Sequence, residues 1–134
     1  MDQTRADRLI EQIGGLIIAD ERYADRTWSA ISVVAVLDGG ASQISGYSYD
    51  VEGDPQAGSP RNADLHDLFT ELRAATRVEG QAPWKTCLVQ IRRDDLKTRV
   101  EFEYEDAARW KVTPKTLNIM PARLKPFQTI VAWR

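Results

Sequence analysis

The chain has 134 residues, of which 43% are hydrophobic and 28% are charged. This length predicts a single domain, residues 1–134, that can bury a core without disulfides or structural metals. The balance of apolar and charged residues is typical of a soluble globular protein. The net charge of -2 and the pI near 5.4 disfavour a general nucleic-acid binder, which would carry an excess of basic residues.

The sequence contains no pattern that would direct the protein to a membrane or an oxidising compartment. Met1 to Arg8 is polar and charged, and the apolar run that follows is broken by Gly14 and Gly15, so no signal peptide is predicted. No apolar stretch approaches the roughly 18 residues that span a membrane. The single cysteine, Cys87, has no partner for an internal disulfide. We therefore expect a cytoplasmic protein with no membrane partner.

The first elements are a helix and a buried strand. Apolar residues recur at intervals of three and four from residue 3 to residue 18, which predicts an amphipathic helix whose end is weakened by Gly14 and Gly15. Residues 27–37 are β-branched or small and apolar on both faces. This pattern is typical of a strand that is covered on both sides or lies centrally in a sheet.

A tight turn and a returning strand follow. Asp38-Gly39-Gly40 is a strong turn signal, and residues 42–50 alternate as a strand that places Tyr47 and Tyr49 on one face. Residues 52–62 contain two glycines and two prolines, which predicts a loop.

A second helix and a second hairpin make up the next part of the chain. The apolar stripe predicts a helix over residues 63–78, with Asn62 or Asp64 capping its first turn. Residues 85–93 and 97–105 then pair as a hairpin. The helix and the inner face of this hairpin are predicted to share one core, made of Phe69, Leu72, Val89, Ile91, Phe102 and Tyr104.

The C-terminal region has a weaker pattern. Thr113-Pro114 predicts a helix start, with Thr113 as the cap and the proline at the first position, while Pro121 and Pro126 prevent one long helix. The apolar residues 130–133 are expected to pack back on the domain. Together the elements predict an α+β fold in which a mainly antiparallel β-sheet packs against helices on one face.

Catalytic and metal-binding patterns are weak throughout. His66 is the only histidine, and Asp64 and Asp67 beside it are the acidic first turn that a helix favours. A Cys87 nucleophile with His66 as its base is the remaining enzyme hypothesis, but a cysteine on an apolar strand face is usually inert. Zinc sites need several Cys or His ligands. Asp50, Glu52 and Asp54 match only a fragment of a calcium loop. We predict a protein that is not an enzyme and that has no metal and no cofactor.

A basic cluster remains near the second hairpin turn. Arg92, Arg93, Lys97 and Arg99 could form a local basic patch, but a solvated turn is the favoured interpretation of this cluster. The overall acidic balance favours the solvated turn, so no direct nucleic-acid partner is expected.

Three motifs in residues 65–106 carry a family resemblance. They are Leu65-x-x-Leu-Phe-x-x-Leu-Arg, then Gly80-Gln-x-Pro-Trp84, then Phe102-Glu-Tyr-Glu-Asp106. This stretch resembles the YezG-like immunity proteins, small bacterial antitoxins of which several are encoded beside polymorphic or contact-dependent growth inhibition toxins. The N-terminal helix and first hairpin fit the family layout more loosely. The proline-rich C-terminus departs from the family's usual ending, so no role there is carried over.

The resemblance implies a protein that binds and neutralises the C-terminal domain of a cognate toxin by occluding its active site. Such toxins are often nucleases with basic clefts, which acidic side chains can attract and block. A non-catalytic adaptor or chaperone-like binding module is the alternative, and the carboxylates could also form only a solvated face. The predicted toxin-binding residues are two aromatic anchors and six carboxylates: Tyr47, Tyr49, Asp50, Glu52, Asp54, Glu101, Glu103 and Glu105.

Overall fold

A computed structural model describes residues 1–126 and confirms the α+β fold, with helices packed against an antiparallel sheet. The prediction for residues 130–133 lies outside the described residues. The elements in chain order are α1 (Gln3–Ile18), α2 (Glu21–Ala24), β1 (Trp28–Asp38), β2 (Ala41–Asp50), β3 (Pro55–Ala57), α3 (Asp64–Thr76), β4 (Thr86–Arg92), β5 (Thr98–Glu103) and α4 (Met120–Leu124).

The sheet is built outward from β1. Its strands lie in the order β3-β2-β1-β4-β5, and each neighbouring pair is antiparallel. Val33 of β1 is opposite Gly46 of β2 and Val89 of β4, so β1 is central. Residues 30–35 of β1 are all buried, which confirms the prediction of a strand covered on both sides.

Helices α1 and α3 pack on the face that carries the odd-numbered residues of β1. Ile13 and Ile17 of α1 are fully buried in the core cluster that also contains Phe69 of α3. The predicted bounds of α1 are confirmed, and the helix continues through its two glycines. Gly14 is required by close packing, since a Cβ atom there would lie 1.8 Å from Oγ1 of Thr98 at the start of β5.

The opposite face is covered by the C-terminal part of the described chain, so the prediction that the sheet is covered on one face was incomplete. Trp110, Met120 and Leu124 are buried against Val34 and the two tyrosines of β2. The carbonyl of Leu124 accepts hydrogen bonds from Ser32 Oγ and from Gln90 Nε2. The buried side chains of Ser32 and Gln90 thus hold the C-terminal segment against the sheet by hydrogen bonds.

The predicted helix start at Thr113-Pro114 was wrong. Residues 114–119 form turns, and Thr116 Oγ1 accepts a 2.8 Å hydrogen bond from the Thr113 N–H. The helix α4 begins at Met120, with Pro121 in its first turn, where the missing N–H of proline costs no hydrogen bond. Proline does occupy the first turn of a helix here, but that proline is Pro121 and not Pro114.

The last predicted strand is shorter than expected. It ends at Glu103, because the Glu103 carboxylate accepts hydrogen bonds from the N–H groups of Glu105 (2.9 Å) and Asp106 (3.2 Å) and turns the chain there. Tyr104 is therefore 45% exposed, and its assignment to the core was wrong. Phe102 does face the core, partly buried, and stacks on Trp84 with ring centroids 5.4 Å apart.

The loop predicted over residues 52–62 contains an unpredicted edge strand, β3, which pairs with β2 and lies near the residues that flank α2. Asp20 is 4% exposed, and its carboxylate accepts hydrogen bonds from the backbone N–H groups of Arg22, Arg61 and Asn62 at 2.9–3.0 Å. Arg26 donates to the carbonyls of β3. Burial alone raises the pKa of Asp20, but the backbone hydrogen bonds outweigh burial and hold the pKa below its ordinary value.

Candidate partner-binding surface

The predicted carboxylates lie in two groups at opposite corners of the sheet. We call Asp50, Glu52 and Asp54 the turn group and Glu101, Glu103 and Glu105 the β5 group. The turn group follows β2, whereas the β5 group is three strands away and near the other end of the sheet, because Glu103 is level with Gln43 of β2. These offsets are roughly 14 Å across the strands and roughly 23 Å along them. The two groups do not form one surface.

The β5 group is partly neutralised by Arg109. This guanidinium lies 3.0 Å from Glu103 Oε1 and 3.8 Å from Glu101 Oε2, and it also sits 4.7 Å from the centre of the Trp110 ring. The N–H groups of Glu105 and Asp106, together with Arg109, hold the pKa of the Glu103 carboxyl below its ordinary value. Glu103 is therefore engaged in organising the chain after β5.

The turn group keeps its charge available. All three residues are exposed. Asp50 Oδ1 accepts hydrogen bonds of 2.9 Å from the N–H groups of Glu52 and Asp54, which fixes a compact turn after β2. Within residues 1–126, none of the three carboxylates has a lysine or arginine within ion-pair distance. This corner therefore presents three uncompensated negative charges on a fixed backbone.

The two predicted aromatic anchors are not surface residues. Tyr47 is 8% exposed and Tyr49 is fully buried beneath the C-terminal segment. The hydroxyl of Tyr49 donates a 2.6 Å hydrogen bond to the carbonyl of Pro121. The structure therefore contradicts the use of these rings as exposed anchors, since a segment about seventy residues later in the chain covers them.

Cys87 and His66, the two residues considered for catalysis, make no hydrogen bond to each other within residues 1–126. Cys87 is fully buried on the helix-covered face of β4, and burial raises the pKa of its thiol. His66 is exposed on α3, where Nδ1 lies 2.7 Å from Ser42 Oγ. This Ser–His contact joins α3 to the start of β2, and no acidic side chain within residues 1–126 bonds to the imidazole.

The described residues contain neither a metal-binding cluster nor a membrane-spanning helix. Among them, no group of three or more His, Cys, Asp or Glu side chains is arranged to hold a metal ion. No helix of residues 1–126 has the length and apolarity that a bilayer crossing requires.

Comparison with known proteins does not place the chain in a family. No protein-family model matches the chain, and no curated protein matches it significantly. The resemblance to YezG-like immunity proteins therefore stays a prediction from the three motifs.

Proposed function

We propose that this protein is an immunity protein that binds and neutralises a cognate toxin domain encoded beside it, without enzymatic activity of its own. The observation that supports the proposal most is the turn group, which is a fixed and uncompensated acidic corner on a well-packed scaffold. The motifs of residues 65–106 supply the family hypothesis. The proposed toxin is a nuclease, whose cleft carries the positive charge that binds phosphates.

On electrostatic grounds, we expect the turn group to contribute more to toxin binding than the β5 group. A carboxylate that is already paired within its own chain loses that partner when it binds elsewhere, so Glu101 and Glu103 gain less from a basic cleft than unpaired carboxylates do. The side chains of Glu52 and Asp54 have no hydrogen bond to any other residue of 1–126, so they can bind a lysine or arginine without such a loss. We therefore propose that the main contact is at the β2–β3 corner, with a smaller contribution from the β5 group.

Two charge-reversal variants distinguish the contribution of the turn group to toxin binding from that of the β5 group. E52K/D54K and E101K/E105K each change the net charge by the same amount, and neither removes the carboxylates of Asp50 and Glu103 that fix local turns. We expect E52K/D54K to weaken binding of the purified toxin domain about tenfold at low salt, because two surface ion pairs contribute about 0.7 kcal/mol each. E101K/E105K should weaken binding about threefold or less.

Isothermal titration calorimetry at two salt concentrations measures both effects. The tenfold loss should shrink as salt rises, since exposed charges are screened beyond about 10 Å at 0.1 M salt. Melting curves establish that each variant is folded. Unchanged affinity of E52K/D54K at low salt would show that the turn group is only a solvated surface.

A further inference from the structure

A cleft lies at the end of the sheet where β1 begins and β4 ends. It encloses about 380 Å³ and is lined by the apolar side chains of Trp28, Ala30, Val51 and Pro126. Val51 forms an exposed apolar rim, with 71% of its surface accessible. The size is that of a site for a small ligand or for one or two side chains of a partner.

Two cations of this cleft have no anionic partner in the described chain. The Arg93 guanidinium carbon lies over the Trp28 ring, 3.5 Å from its centroid, and Nε of Arg93 donates a 3.2 Å hydrogen bond to the Trp28 carbonyl. The terminal nitrogens of Arg93 and Nζ of Lys125 have no acceptor among residues 1–126. The one acidic residue of the wall, Asp94, is held by both Nε and Nη2 of Arg92.

This geometry is suited to an anion that carries an apolar group. The contact with the Trp28 ring and the Nε hydrogen bond hold Arg93 in place, and its two terminal nitrogens, which have no acceptor among residues 1–126, form the planar fork that matches a carboxylate. The apolar floor offers burial to a neighbouring side chain. The local balance of charge in the cleft is positive, although the whole chain has a net charge of -2.

We propose that this cleft binds a peptide segment of a protein partner in which a carboxylate side chain stands next to a large apolar one. A polyanion such as a nucleic acid is disfavoured, because the turn group adjoins the cleft through Val51 and would repel a chain of phosphates. A single carboxylate with an adjoining apolar side chain meets both the cations and the exposed Val51. The site is independent of the proposed function, because its ligand has the opposite charge to a nuclease cleft.

The test titrates the full chain with acetyl-Asp-Phe-amide and follows backbone amide resonances by NMR. Saturable shifts are expected at Ser29, Ala30 and Val51, and acetyl-Asn-Phe-amide should bind about fivefold more weakly. The variant R93Q/K125Q should bind both peptides equally. The matched control R77Q/K115Q removes two exposed cations away from the cleft and should keep the preference.

Several results would overturn the proposal. They are the absence of saturable shifts, equal binding of both peptides to the unmodified chain, or a retained preference in R93Q/K125Q. Since the Lys125 side chain has no hydrogen-bond or ion-pair partner among residues 1–126, we expect K125Q alone to fold, and the preference should already fall by about half. Peptide binding that appears only after residues 127–134 are deleted would assign the cleft to the chain's own segment and would also overturn the proposal.

Discussion

Replacing Phe69 with alanine should lower the free energy of unfolding by about 3–5 kcal/mol, because the ring is fully buried between α3 and the sheet. Phe102→Ala should cost less, about 2–3 kcal/mol, since this ring is at the sheet edge and stays partly exposed. Urea denaturation at pH 7 measures both losses of unfolding free energy, if the dependence of that free energy on urea concentration is fitted with one slope for all variants.

Tyr104→Ala is the control for these two variants. Tyr104 lies after the end of β5 and is 45% exposed, so its truncation should change the free energy of unfolding by no more than about 0.5 kcal/mol. If Tyr104→Ala were as destabilising as Phe102→Ala, the strand would continue past Glu103 and the observed turn would be wrong.

Replacing Asp20 with asparagine should lower the free energy of unfolding by about 2–4 kcal/mol at pH 7. The carboxylate is the shared acceptor of three backbone N–H groups that join α2 to residues 61 and 62. An amide offers one acceptor oxygen and no charge, so it leaves a buried donor unsatisfied. Asp25→Asn, an exposed carboxylate at the end of the same helix, is the matched control and should have little effect.

The Asp20 contribution should depend on pH in a defined direction. The folded pKa lies below the unfolded value of about 3.9, so the unfolded chain takes up this proton first as the pH falls. The stabilisation by Asp20 is therefore complete above about pH 4 and is lost as the pH falls through the folded pKa. Urea denaturation at pH 7, 5, 4 and 3 should show the difference between the unmodified chain and D20N narrowing below pH 4. A difference that stays constant to pH 3 would contradict the carboxylate clamp.

Local patterns predicted the parts of the fold that depend on neighbours in sequence. The apolar spacing of residues 3–18 sets α1, and the two glycines with positive φ, Gly39 and Gly40, set the hairpin between β1 and β2. The sequence also indicated that both faces of β1 are buried. What covers the second face was not predictable from local pattern, because the segment around Trp110 and Leu124 has no helical or strand period.

The errors at the candidate site have the same origin. Tyr47 and Tyr49 lie on the strand face that the sequence leaves open, and only the distant Pro121 carbonyl and its segment explain their burial. The edge strand β3 is three residues long and begins with proline, and hydrogen bonds to it and to the next residue come from Arg26 and Tyr23, more than thirty residues earlier. Strand alternation showed that the glutamates of β5 share a face, but it could not show that Arg109 pairs with two of them.

The proposed function is that the protein protects a cell from a toxin by binding it. The most direct measurement is growth of a bacterium that co-expresses this chain with the toxin domain encoded beside its gene, accompanied by an assay of the toxin's activity with both purified proteins. We expect the unmodified chain to restore growth and to abolish the toxin's activity at equimolar concentration, and we expect E52K/D54K to protect less well at low expression. A chain that binds the toxin but leaves it active, with growth still arrested, would contradict the claim and would favour an adaptor or chaperone instead.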